Sequence, residues 1–270
     1  MVLPVHDKNP VRRTPVVTYA LLLVNVVVFV LSPLALAPLL GDGSAARQCE
    51  VLGYLDHWAA VPDQVIGNDA PTQVVVDGPA AIRGDQLTCT AAEPPPYDKS
   101  PVLSVLTAMF VHGGWLHLLG NMLFLYVFGN NVEDRLGRLR YLGFYLLCGY
   151  AATYGFALAD AGADTPLVGA SGAIAGVLGA YLVLFPRARV WSLLTFFFFL
   201  PVKLPAWLVL GSWFVLQYLY ARGAGLAQGS GVAYLAHVLG FLVGAALVWR
   251  LRGTAHPREL QARYGPYARR

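Results

Sequence analysis

The chain has 270 residues, of which 57% are hydrophobic and 13% charged, and its mean hydropathy is +0.55. A soluble domain carries roughly 25% charge, so this composition excludes an ordinary soluble fold and implies a protein that crosses a bilayer several times. The net charge of +4 comes with no nucleic-acid-binding motif, and the basic residues report topology instead.

Residues 1–15 form a charged N-terminal tail without the short apolar stretch and small-residue cleavage site of a removable signal peptide. Crossing a ~30 Å hydrocarbon core takes about 20 apolar residues. Candidate runs occupy Val16 to Leu36, Leu116 to Phe128, Tyr141 to Ala159, Ala170 to Phe185, Leu204 to Tyr220 and Val232 to Leu251. The predicted fold is an all-α polytopic bundle of six transmembrane helices over residues 16–251, with the second and fourth spans short. Between the first two spans, residues 38–100 are polar and contain Val74-Val-Val76 and Pro94-Pro-Pro96, which reads as one large external loop. The stretch Val190 to Leu200 is apolar but bounded by Arg187, Arg189, Pro201 and Lys203. At about 11 residues it is too short to span as a helix, so an interfacial or re-entrant connection is expected. Residues 252–270 form a basic tail suited to anionic membrane lipid.

Basic residues favour cytoplasmic loops. With six spans both termini share one side, and that side holds fifteen of the 19 Lys and Arg residues. Only Arg47, Arg83, Lys99 and Arg222 fall opposite, so both termini are expected in the cytoplasm. Arg greatly outnumbers Lys, which suggests a GC-rich bacterial genome and the plasma membrane. Cys49 and Cys89 share the external loop, where an oxidising exterior allows a disulfide. No zinc-ligand spacing is present, and no metal or other cofactor is predicted.

This topology makes the second, fourth and sixth spans run in one direction, each with polar residues near its beginning. His117 and Asn121 open the second, Ser171 the fourth, and His237 lies early in the sixth. An ionisable residue within a span is expensive unless it is paired or lines a wet cavity. Ser171, Ala175 and Gly179 recur every four residues, as do Ala236, Gly240 and Gly244. Such small-residue faces let helices approach closely, so Ser171 and His237 are expected to meet as nucleophile and base. His117 and Asn121 share a helix face and can donate to a developing oxyanion, helped by backbone N–H groups near Ser171. No Asp or Glu lies within the spans, so a Ser–His dyad is expected, with packing rather than a carboxylate orienting the imidazole. Gly169-Ala-Ser-Gly-Ala173 is not the G-x-S-x-G elbow of soluble hydrolases.

Four segments together resemble the rhomboid family of intramembrane serine proteases. They are His112-Gly-Gly-Trp-Leu-His117-Leu-Leu-Gly-Asn121, Glu133-Asp-Arg-Leu-Gly137, Gly169-Ala-Ser-Gly172, and Ala236-His237 followed by Gly240 and Gly244, spread over Leu103 to Leu251. The resemblance implies a six-helix fold whose wet active site opens outward and which cuts transmembrane protein substrates near their outer boundary. It implies Ser171 as nucleophile and His237 as base, with His117, Asn121, His112 and Gly169 as oxyanion or supporting positions. Gly172, Gly176, Gly179, Ala236, Gly240 and Gly244 take the role of helix-packing residues, and Glu133 and Arg135 that of structural anchors at the end of span two. Many members carry Tyr or Phe four residues after the serine, packed on the histidine, where this chain has Ala175. Another group must then orient His237.

A substrate must offer an extended backbone, although helices satisfy their own hydrogen bonds in lipid. Segments weakened by Gly, Pro or polar residues, with a small residue before the cut, are therefore expected to be preferred. A rhomboid-like pseudoprotease that binds membrane proteins without cutting them is the alternative, and loss of Ser171 or His237 would mark it. A transporter is a third reading, but the chain has no inverted repeat and no midplane acid.

Overall fold

The computed structural model describes residues 2–9, 11–35, 44–67, 81–83, 86–89, 99–163, 165–194, 200–223 and 232–251. The basic tail at 252–270, Val74 to Val76, Pro94 to Pro96 and Phe196 to Phe199 lie outside them. In chain order the elements are β1 (Val2–Asp7), α1 (Val16–Val30), α2 (Ala45–Trp58), α3 (Pro62–Gly67), β2 (Ala81–Arg83), β3 (Gln86–Thr88) and α4 (Pro101–Ala108). There follow α5 (Trp115–Phe124), a π-helical turn (Leu125–Gly129), α6 (Asn130–Leu136), α7 (Arg138–Ala159), α8 (Ser171–Leu184), β4 (Arg189–Leu194), β5 (Leu200–Pro205), α9 (Ala206–Ala221) and α10 (Tyr234–Leu251).

The protein is a polytopic helical membrane bundle. Each of the six apolar runs coincides with a helix, and the second belongs to one continuous helical path from Trp115 to Leu136 through the π turn. Taken alone, among the described residues, only α7 is both long and apolar enough to cross a bilayer. A helix that is apolar all round belongs in the interior, and α8 is buried without a break from Ala173 to Tyr181. By contrast α1 and α9 expose Leu23, Val24, Val215, Leu216 and Tyr218. On a membrane bundle such apolar faces meet lipid.

Close approach centres on α8 and α10. A side chain built on Gly240 would fall on the Gly172 carbonyl, one on Gly244 on the Gly176 carbonyl, and one on Gly179 on the Phe241 carbonyl. On its other flank α8 meets α7, where Gly172 faces Ala152 and Gly176 faces Cys148. The expected Ser171, Ala175, Gly179 stripe thus lies at the contact with α10, where Ala175 Cβ and the Phe241 carbonyl stand against Gly240 and Gly179, and Gly172 and Gly176 add their carbonyls to it while facing α7.

Charged and polar groups tie the elements at one end. Pro15 offers α1 no side-chain cap, and Glu133 of α6 takes that role by accepting from Val17 N at 3.0 Å, Thr18 N at 2.7 Å and Thr18 Oγ1 at 2.7 Å. A carboxylate there also meets the positive end of the helix dipole. Arg135 stands half-buried in the last turn of α6. Residues 2–7, expected as part of a tail, instead form β1, which pairs antiparallel with β4, and β4 in turn with β5. The connection expected around Val190 to Leu200 is thus strand rather than helix over its described parts. Asp7 pins β1 to the bundle: its Oδ2 accepts from Asn131 Nδ2 at 2.7 Å and from Tyr181 Oη at 2.6 Å, and Oδ1 from Asn9 N at 2.9 Å.

At the opposite end, the segment expected as one large external loop contains α2, α3 and the antiparallel pair β2 and β3. Ser44 caps α2 and Ser100 caps α4. A disulfide joins Cys49 to Cys89 with Cα atoms 5.7 Å apart. Lys99 Nζ donates to the Asp56 carbonyl, Thr107 Oγ1 to the Trp58 carbonyl at 2.8 Å, and Trp115 Nε1 to the Ala35 carbonyl at 3.1 Å.

Substituting Gly244→Val should cost the folded bundle about 3 kcal/mol, since the displaced atoms are backbone, whereas Gly143→Ala, with nothing within 4 Å, should leave stability unchanged or slightly raised. Thermal unfolding in detergent reads both. Burial lifts the Asp7 carboxyl from 3.8 to about 6, so the folded state favours its protonated form. Docking of β1 is accordingly strongest below about pH 4 and weakens, by up to about 3 kcal/mol, as pH rises through about 6. The melting temperature should fall between pH 5 and pH 7 in the parent protein and stay flat in Asp7→Asn. An equal fall in both would rule out Asp7 as the source.

Candidate active site

Three helices bring their reactive residues to the end opposite the sheet. Ser171 is the first residue of α8, where the first intrahelical bond runs from Ile174 N to the Ala170 carbonyl. The backbone N–H groups of its first turn therefore lack helical partners. His237 lies in the first turn of α10, one turn before the Gly240 contact, and the tight seam carries its ring to the serine. Ser171 Oγ and His237 Nε2 are 2.8 Å apart.

The other ring nitrogen is also engaged. His237 Nδ1–H donates to Gln217 Oε1 of α9 at 2.7 Å. Trp213, four residues before Gln217 on the same face of α9, lies with its ring centroid 6.1 Å from that of His237 and inclined by 31°, and Tyr234 stands edge-on at 6.3 Å. Packing rather than a carboxylate was expected to orient His237, with another group needed in view of Ala175, and the carboxamide of Gln217 is such a group beside the aromatic contacts. Gln217 was not singled out in the sequence. The available signal was that it is the only carboxamide in an otherwise apolar span.

Facing this pair, α5 presents His117 and Asn121. Gly113 N donates to His117 Nδ1 at 3.3 Å, which leaves Nε2 as the donor in the neutral ring. Asn121 is buried, and its Nδ2 has no partner among the described residues. Gly169 packs against both side chains at φ +111°, and a Cβ there would meet His117 Nε2 at 2.6 Å and Asn121 Nδ2 at 3.5 Å. Glycine is required by both its conformation and the lack of space. Gly169 N donates to the Ala108 carbonyl at 2.9 Å, fixing the approach to Ser171. His112 is buried behind this group, its ring 5.1 Å from His117, with Nδ1–H donating to the Phe110 carbonyl at 3.3 Å and Nε2 unpartnered.

These groups share an open cavity of about 930 Å³, lined among others by His117, Asn121, Ser171, Trp213, Gln217 and His237. On the far side of Ser171 a much smaller cavity, about 30 Å³, is walled by Met109, Gly149, Ala152 and Thr153. A serine oxygen hydrogen-bonded to an imidazole, with unpartnered donors across the cavity, can attack a carbonyl carbon and stabilise the oxyanion that forms. Of the expected residues, Ser171, His237, His117, Asn121, His112 and Gly169 are brought together here. Glu133 lies near the opposite end of the bundle at the start of α1, and Cys49 belongs to the segment between α1 and α5.

The family model described as the Rhomboid domain matches residues 99–254, which include all of these positions except Cys49. Rhomboid protein 1, mitochondrial, of Saccharomyces cerevisiae is 32% identical over 169 residues, 59% of this chain and 46% of the yeast protein. Rhomboid-like protein 11, chloroplastic, of Arabidopsis thaliana is 33% identical over 156 residues, 54% of this chain and 51% of its own length. RHOMBOID-like protein 5 of the same plant is 36% identical over 78 residues, 29% of this chain and 25% of that protein. The chain thus spans between a quarter and about half of the length of these relatives. With the matched domain covering more than half of the chain, this protein belongs to the rhomboid family.

Proposed function

We propose that this protein is an intramembrane serine endopeptidase that cleaves transmembrane protein substrates through a Ser171–His237 dyad. The observation that carries this reading is the 2.8 Å hydrogen bond from Ser171 Oγ to His237 Nε2 at the wall of an open cavity. His237 Nε2 takes the Ser171 proton as Oγ attacks the scissile carbonyl carbon. The carbonyl electron pair moves onto oxygen, facing Asn121 Nδ2, His117 Nε2–H and the first backbone N–H groups of α8. Collapse of this intermediate expels the amine, which takes the proton from His237 and leaves an acyl-enzyme. Water, deprotonated by His237, then releases the acid and restores Ser171.

The narrow cavity behind Ser171, with room for about one water, supports a small side chain before the cut. A scissile segment weakened by Gly, Pro or polar residues fits the need for an extended strand in the cavity. The positive-inside bias supports cytoplasmic termini: Lys8, Arg13, Arg138, Arg140, Arg187, Arg189 and Lys203 all belong to the sheet end of the bundle. The Cys49–Cys89 bond fits an oxidising exterior at the other end. With the Arg-rich composition, these features favour the bacterial plasma membrane.

In liposomes holding a tagged transmembrane substrate, Ser171→Ala and His237→Ala should each abolish cleavage seen with the parent protein. Wild-type rates in either variant would overturn the dyad. A parent protein that leaves uncut a substrate cleaved by an active rhomboid protease would instead favour a non-cleaving, substrate-binding role. Asn121→Ala should lower kcat by about 10²- to 10³-fold with little change in KM, as loss of an oxyanion donor does.

A further inference from the structure

We propose that Gln217 is the positioning residue of the dyad, holding His237 in the one tautomer that can accept the Ser171 proton. The assignment rests on the protease reading above and deepens it. A neutral imidazole has one N–H and one lone pair. In the Nε2–H tautomer the ring would turn a donor toward Ser171 Oγ and could not act as its base. Gln217 Oε1 is an acceptor, so its 2.7 Å contact with Nδ1 is satisfied only when the proton sits on Nδ1 and the Nε2 lone pair faces Ser171.

The placement of Gln217 gives independent support. The outer half of α9 exposes Val215, Leu216, Tyr218 and Leu219, and a carboxamide in such a helix is costly unless it finds a partner. Gln217 spends its oxygen on the catalytic ring. Trp213 lies four residues earlier on the same face and packs against that ring, so one face of α9 supplies both a hydrogen bond and an aromatic wall. Together they stand in for the aromatic residue that Ala175 does not provide.

The arrangement also serves the charged intermediate. Once His237 has taken the Ser171 proton both ring nitrogens carry hydrogen, and the Nδ1–H···Oε1 bond becomes charge-assisted and stronger. The groups facing the ring are Ser171 of α8, Gln217 and Trp213 of α9, and Tyr234 of α10, with His117 of α5 across the cavity. None of them is a carboxylate. A neutral oxygen thus keeps one proton on Nδ1 and supports the ring's charge in the intermediate, without the negative charge that would hold a second proton on Nε2 at rest.

The test compares the parent protein with Gln217→Met, which keeps the side-chain length and suits the apolar helix but removes the carbonyl acceptor, and with Gln217→Glu, which retains an acceptor. Nitrogen NMR of histidine-labelled protein in micelles, with the His237 signals assigned by comparison with His237→Ala, reads the tautomer without any substrate. The parent and Gln217→Glu should carry the proton on Nδ1, whereas Gln217→Met should lose that preference. Cleavage by Gln217→Met should fall roughly 10- to 100-fold in kcat, a part of what general-base catalysis is worth, with KM within about twofold. Gln217→Glu should recover most of that loss and move the acidic limb of kcat/KM to higher pH, because a carboxylate stabilises the imidazolium. A Gln217→Met protein with unchanged tautomer and parental kcat would overturn the assignment. If Gln217→Met fails to fold, an unshifted pH profile in Gln217→Glu overturns it instead. Lack of cleavage by the parent protein would count against the protease reading alone, since the NMR measurement still decides the role of Gln217.

Discussion

The seam between α8 and α10 sets the distances on which the rest of the molecule relies. Helices in lipid gain little from burying apolar surface against one another, so association rests on packing and on how closely backbones approach. Here Gly240 lies against the Gly172 carbonyl and Gly244 against that of Gly176. Ser171 is one residue from the first of these contacts and His237 is three residues from Gly240. Their meeting is therefore fixed by the register of the seam, and a slip of one turn, about 5.4 Å, would separate them altogether.

Around this seam the polar groups divide into two kinds. Glu133 and Asp7 each accept three hydrogen bonds and serve to hold elements together. Asn121 Nδ2 and His112 Nε2 are buried without partners among the described residues, and both belong to the group of residues around Ser171. Leaving a buried donor unsatisfied costs about 1–3 kcal/mol. At Asn121 that cost fits a donor kept free for the charge that would develop in the proposed reaction.

Much of this was legible in the sequence because it depends on local pattern. The six helices follow from apolar runs, and the convergence of His117, Asn121, Ser171 and His237 follows from alternating span direction with each polar group near the start of its span. Small-residue recurrence identified the two helices that touch and the Ser171, Ala175, Gly179 stripe that meets α10, while the part played by the Gly172 and Gly176 carbonyls depends on backbone geometry that no spacing reports. Strand β1 was not legible, since Val2–Asp7 pairs with a strand more than 180 residues later and no local signal reports so distant a partner. The helical content before α5 was partly signalled by Ser100 followed by Pro101, a favourable cap and first-turn pair. Gln217 escaped notice because a single carboxamide has no periodicity, and its partner is decided only once α9 leans against α10.

The capping of α1 by Glu133 also places a constraint on the order in which the protein is made. The donors at Val17 and Thr18 are synthesised 115 to 116 residues before their acceptor. At roughly 5–20 residues per second, the first helix waits on the order of 6–23 s with the N–H groups of its leading turn unmatched. Those groups must meanwhile stay at a hydrated surface, because hydrocarbon offers them nothing. The first helix is thus capped only about midway through the 270 residues, when Glu133 has emerged and its hydrogen bonds close the stretch of chain from α1 to α6.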